Sequence, residues 1–186
     1  MDQQYIRIVT PKEYTFEPRP RYAALVSYCN KAIGRPKPAV IICPGGGYSC
    51  LSYAEGEPVA RRFQAYGVQA FLLQYSIGKI YPTVLRELAC AVAHVRENAN
   101  AYHVDPQSVF LCGFSAGGHL AASLAVHGGS EWTTGYGFPK HCMPDGLILG
   151  YPVTGEPETG RHRHMETFGI LWENNRWNPC CMWIDT

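Results

Sequence analysis

Val109-Phe110-Leu111-Cys112-Gly113-Phe114-Ser115-Ala116-Gly117-Gly118-His119 is the stretch on which the reading of the whole chain turns. Val109 to Cys112 is a short apolar run with the look of a buried strand, and Leu120 to Val126 has the composition of a helix. Between them stand three glycines and one serine, so the chain must pass from strand to helix through a very tight turn. A side chain two residues before or after Ser115 would collide with the crossing backbone, and glycine at 113 and 117 removes both collisions.

Upstream, Ala39-Val40-Ile41-Ile42-Cys43 is a run of small and β-branched residues expected of a strand buried on both faces, and Pro44-Gly45-Gly46-Gly47-Tyr48 breaks it at once. Glu57 to Tyr66 has helical spacing, with Val59, Ala60, Phe63 and Tyr66 on one face and Pro58 in the first turn. Val68 to Tyr75 reads as the next buried strand. Leu85 to Ala101 reads as a helix, because Leu88, Ala91, Val92 and Val95 recur at i, i+3, i+4 and i+7. Downstream, Gly146 to Tyr151 predicts a fourth buried strand. This alternation predicts an α/β fold, a mostly parallel sheet with helices on both faces. One domain over residues 1–186 is expected: an N-terminal strand or hairpin and loop in 1–38, a legible core in 39–153, and an irregular tail in 154–186.

Composition agrees with a globular chain. Of 186 residues, 46% are hydrophobic and 17% charged, with a formal net charge of +1. The basic residues are dispersed, which predicts no nucleic-acid partner and favours a neutral small substrate. The start Met1-Asp2-Gln3-Gln4-Tyr5 lacks the basic and apolar regions of a signal peptide, and no apolar run is long enough to span a bilayer. A cytoplasmic protein without membrane contact is therefore expected. Cys43, Cys90 and Cys112 lie in apolar runs as small hydrophobes, Cys180-Cys181 matches no zinc spacing, and neither metal nor organic cofactor is expected. Nothing in the sequence speaks to oligomeric state.

Gly113-x-Ser115-x-Gly117 after a strand and before a helix is the pattern of a nucleophile elbow, which lifts a serine hydroxyl above a sheet. The N-terminus of the following helix then turns unbonded N–H groups toward the same place. Gly45-Gly46-Gly47, also directly after a strand, supplies a loop whose backbone N–H groups can approach a developing oxyanion. Nucleotide binding is excluded, because no lysine stands at phosphate-loop spacing and Cys50 occupies the last position of G-x-G-x-x-G.

Through Cys43 to Tyr48, Glu55 to Ala60 and Gly113 to Leu120, residues 38 to 153 resemble α/β-hydrolase superfamily esterases with a glycine-triplet oxyanion loop, including acetyl-xylan and feruloyl esterase-like enzymes. Where many relatives have His before the triplet, this chain has Pro44. The resemblance implies carboxylic-ester hydrolysis through an acyl intermediate on Ser115, with Gly46, Gly47 and Ala116 forming the oxyanion hole. It implies short, acetyl-type esters, including those of carbohydrates, as the small-molecule substrates. A structural hydrogen bond is expected of His119. The superfamily's acid and histidine follow the serine, and only 71 residues remain after Ser115, so a C-terminally truncated or rearranged chain is expected. Glu156 with His162 or His164 are the candidates within it, and Asp185 lies one residue from the end. Two alternatives stay open: a catalytically impaired hydrolase-fold binding protein, and a serine peptidase of the same fold.

Overall fold

The computed structural model describes residues 4–8, 23–79, 82–129 and 137–153. The strands are β1 (Gln4–Ile8), β2 (Ala23–Tyr28), β3 (Lys37–Cys43), β4 (Gln69–Gln74), β5 (Val104–Phe114) and β6 (Gly146–Gly150). They form one sheet in the order β1-β2-β4-β3-β5-β6. β1 and β2 pair antiparallel, as does β2 with β4, while β4, β3, β5 and β6 run parallel. The helices are α1 (Glu57–Ala65), α2 (Thr83–Glu97), α3 (Ala99–Tyr102) and α4 (Ala116–His127), and a single 3-10 turn, Tyr53–Glu55, precedes α1.

The pleat sorts side chains by parity. Val40 and Ile42 face a cluster with Ala60 of α1, whereas Ala39, Ile41 and Cys43 face Leu88 and Val92 of α2 and Leu120 and Leu124 of α4. The handedness of parallel crossovers dictates this division. The chain steps from β3 to β4 in one direction, then from β4 past β3 to β5 in the other, so two right-handed connections place α1 and α2 on opposite faces. The step from β5 to β6 continues the second direction and puts α4 beside α2.

Three expectations are corrected. The helix expected over Leu85 to Ala101 breaks at Asn98, whose backbone leaves the helical region (φ −102°, ψ 22°). Its side chain donates to the His94 carbonyl at 2.8 Å, competing with the helical ladder. Tyr66 does not share the buried face of α1; it caps the helix, 72% exposed, with the Arg62 guanidinium over its ring. The fully buried strand expected at Gly146 is only half-buried, because among the described residues β6 pairs with β5 alone and Ile148 faces outward. β5 begins earlier than the apolar run: Lys37 opposes Val104 but Ala39 opposes Val109, so Asp105 to Ser108 bulge out where Pro106 has no N–H to give.

Arg96 of α2 fixes the entry to β6. It donates to the carbonyls of Pro106, His141 and Met143 and to the Asp145 carboxylate at 2.6 Å, and that carboxylate also accepts the N–H of Val109. Cys43 and Cys112 are buried as expected and Cys90 is half-buried; these three, with Cys29, Cys50 and Cys142, are free thiols. Among the described residues no helix is long and apolar enough to cross a membrane, and no group of side chains is arranged to hold a metal ion.

Candidate active site

The reversal of chain direction described above makes the carboxyl ends of β3 and β5 the topological switch point of the sheet, the place where open α/β sheets bind their ligands. Both glycine motifs lead out of those two strands. Ser115 follows β5 and caps α4 with φ 49° and ψ −118°, a conformation that costs a residue with a Cβ about 1 to 3 kcal/mol. Neighbouring backbone holds it there. Its N–H donates to the Gly150 carbonyl at 3.0 Å, and its own carbonyl accepts from His119 at 3.0 Å and Val153 at 3.3 Å.

The glycines flanking Ser115 are required by close approach. A Cβ on Gly117 would overlap the carbonyl oxygens of Cys43 and Pro44, and one on Gly113 would overlap the Gly117 carbonyl. Their absence seats the first turn of α4 directly on the end of β3. The loop after β3 then lies against the serine: a Cβ on Gly45 would sit 2.9 Å from the Ser115 Cβ and 2.8 Å from Glu55 Oε2.

Within that loop the carbonyls are tied down one after another. Pro44 O accepts the Tyr75 hydroxyl at 2.5 Å, Gly45 O accepts Ser52 N–H at 2.9 Å, and Gly46 O accepts the N–H groups of Ser49 and Cys50 at 3.1 and 3.2 Å. Because a trans peptide carries its N–H on the edge opposite its C=O, pinning the oxygens of residues 45 and 46 aims the N–H groups of Gly46 and Gly47 the other way. Among the described residues nothing accepts those two N–H groups or that of Ala116. Gly46 (φ 128°) and Gly47 (φ 59°) tolerate the backbone this requires. Burial, and secondarily the neighbouring Cys43, raise the pKa of the Tyr75 hydroxyl, so it remains a donor to Pro44.

His119 lies one turn beyond Ser115, 4% exposed, with Nδ1 at 2.8 Å from the Tyr48 hydroxyl. This is the hydrogen bond expected from sequence, and it joins α4 to the glycine loop. Burial, and secondarily the charge of His127, push its pKa down to about 4, so His119 is neutral near pH 7. The unfolded chain takes up this proton near 6.5 and the folded chain only near 4. Stability is therefore lost as pH falls through that window, by about 3 kcal/mol in all. Urea midpoints at pH 7 and pH 4.5 should converge in His119→Gln relative to the wild type; an unchanged gap would assign the acid sensitivity elsewhere.

Sequence reasoning missed Glu55, Tyr75 and Tyr151. The Glu55 carboxylate accepts Gly45 N–H through Oε2 and the Tyr151 hydroxyl through Oε1, each at 2.6 Å. Glu55 reads in sequence as the approach to a helix, and nothing local marks it as a partner of residues 10 and 96 positions away. Among the described residues no imidazole or carboxylate is hydrogen-bonded to Ser115 Oγ. Glu156, His162, His164 and Asp185 lie outside the described residues.

The BD-FAE family profile matches residues 25–142, from within β2 to a point beyond α4 and just short of β6. The chain belongs to the BD-FAE family. Two curated relatives of this BD-FAE chain are carbohydrate-active by name. It is 34% identical over 141 residues to endo-1,4-beta-xylanase B of Butyrivibrio fibrisolvens, covering 71% of this chain and 21% of that protein. It is 29% identical over 127 residues to an acetylxylan esterase of Xylanibacter ruminicola, covering 67% and 24%. The BD-FAE fold superposes on an acetyl ester-xyloside bifunctional hydrolase from Caldicellulosiruptor lactoaceticus with TM-score 0.77 and 28% identity, covering 95% of this chain and 65% of that one. A carboxylesterase from Lactobacillus plantarum gives TM-score 0.74 and 29% identity, covering 90% and 66%. The architecture is that of the α/β-hydrolases, and the BD-FAE chain is a member of that hydrolase superfamily. It spans about a fifth to a quarter of these curated relatives.

Proposed function

We propose that this chain is a carboxylic-ester hydrolase with Ser115 as nucleophile. The observation that carries the reading is the strained backbone of Ser115, held at the topological switch point against a glycine loop whose carbonyls are pinned. Strain of this kind is retained where the surrounding structure over-determines it, and a presented hydroxyl gives it a purpose. In the proposed reaction Ser115 Oγ bonds to the ester carbonyl carbon as its proton passes to a base. The N–H groups of Gly46, Gly47 and Ala116 take the oxyanion, the alcohol leaves with a proton, and water releases the acid from the acyl-serine. Removing one such donor typically costs about 3 kcal/mol of transition-state stabilisation. The base is assigned to no described residue.

Similarity to an acetylxylan esterase and an acetyl ester-xyloside hydrolase supports short acyl esters of carbohydrates as substrates. The near-zero net charge is in keeping with a neutral ester. A fluorophosphonate probe followed by peptide mass spectrometry should place the label on Ser115, and Ser115→Ala should abolish both labelling and p-nitrophenyl acetate hydrolysis. A folded wild-type chain that takes no label would favour the impaired binding protein.

A further inference from the structure

We propose that Glu55 is a positioning residue that clamps the glycine loop to the exit of β6 and so holds the oxyanion donors in aim. Only the kinetic part of this inference rests on the ester-hydrolase reading. The 3-10 turn Tyr53–Glu55 brings the carboxylate up to Gly45, and the missing side chain there lets the two approach. One carboxylate oxygen takes Gly45 N–H and the other takes the Tyr151 hydroxyl, both at 2.6 Å, the short distances of charge-assisted bonds. Tyr151 comes immediately after Gly150, whose carbonyl holds Ser115 N–H. A single carboxylate therefore ties together the exits of β3 and β6, the two backbone segments that bracket the serine.

Tyr151 is 65% exposed, so burial does little to hold its ring; the bond to Glu55 and the neighbouring Phe114 ring, centroids 5.9 Å apart, do so instead. The same bond raises the Tyr151 pKa, which keeps the hydroxyl a donor. Both carboxylate oxygens are engaged, and among the described residues Ser115 Oγ is not hydrogen-bonded to either. That makes Glu55 an orienting group rather than a catalytic one. Without it the peptide between Pro44 and Gly45 loses the anchor on its N–H edge, and the adjoining Gly46 turns with it. Loss of aim is felt most where charge develops, in the transition state.

The test uses the full chain with p-nitrophenyl acetate. Glu55→Ala should lower kcat about 10- to 100-fold with KM changed less than about threefold, the signature of an interaction realised in the transition state. Glu55→Gln should stay within about fivefold of the wild type, because its amide oxygen still accepts Gly45 N–H and its NH2 can donate to the Tyr151 oxygen. Tyr151→Phe should fall between the two. A second readout needs no turnover: NMR hydrogen exchange at the Gly45 amide should be at least about tenfold slower in the wild type and Glu55→Gln than in Glu55→Ala. Equal exchange in all three proteins overturns the clamp, and so does an unchanged kcat in a Glu55→Ala protein whose Gly45 amide has become exposed. If the exchange pattern holds while Ser115 takes no fluorophosphonate, the clamp stands and the ester-hydrolase reading falls.

Discussion

Ser115→Gly should melt at a higher temperature than the wild type while the proposed esterase activity falls by about a thousandfold or more, the loss typical of removing a nucleophile. The two effects come from the same atoms. At φ 49° and ψ −118° the serine Cβ strains the turn, and deleting it recovers about 1 to 3 kcal/mol. Against this, glycine loosens the unfolded chain and gives back up to about 1 kcal/mol. A net gain of about 1 kcal/mol corresponds to roughly 2 to 4 °C in a domain of this size. Ser115→Ala keeps the Cβ and therefore the strain, so it should lose the same activity without the gain in Tm. Thermal melts of the three proteins decide the matter: a Ser115→Gly protein that melts below Ser115→Ala would show that the turn is not strained.

The largest loss of stability is expected at Gly117→Ala. The new methyl would overlap the carbonyl oxygens of Cys43 and Pro44 at the end of β3. Cys43 is part of the ladder pairing β3 with β5, opposite Gly113, and Pro44 is held by Tyr75. Neither can retreat without breaking those bonds, so the cost should exceed about 3 kcal/mol, a large share of the 5 to 15 kcal/mol that stabilises an ordinary domain. Gly129→Ala is the matched control, since its methyl would meet only the Met143 side chain at ordinary contact distance. Urea unfolding of both should separate them clearly; similar midpoints would mean that α4 does not pack as tightly on β3 as described.

The parallel core was legible because its strands are written as unbroken apolar runs ended by glycine, a local signal that burial on both faces imposes. Legibility failed where long-range partners decide. The exposure of Ile148 reflects how few neighbours β6 has among the described residues, which Gly146 to Gly150 cannot reveal. The interruption at Asn98 hinges on a side chain competing with the backbone, and helical periodicity runs straight through it. At the site, Ser115 and the glycine triplet were legible as motifs because steric need restricts the residue types. The groups bonded around them, Glu55, Tyr75 and Tyr151, work through side-chain reach across the fold, and even the stretch Glu55 to Ala60, which carries part of the resemblance, does not name the partners Glu55 holds. Residues 154–186, which hold the acid and histidine candidates, are as unreadable by periodicity as they lie outside the described structure.

The opposite departures of α1 and α4 from the sheet give the site two banks, joined where Glu55 reaches across to Tyr151. One is built by the segment leaving β3, the other by the segments leaving β5 and β6, and each bank rests on its own helix. Lengthening or shortening either bank reshapes the rim while the strand ladder beneath keeps its register. In the proposed reaction the choice of alcohol and acyl group would then fall to the rim, while the geometry at the serine is set by glycines that leave no room for a side chain.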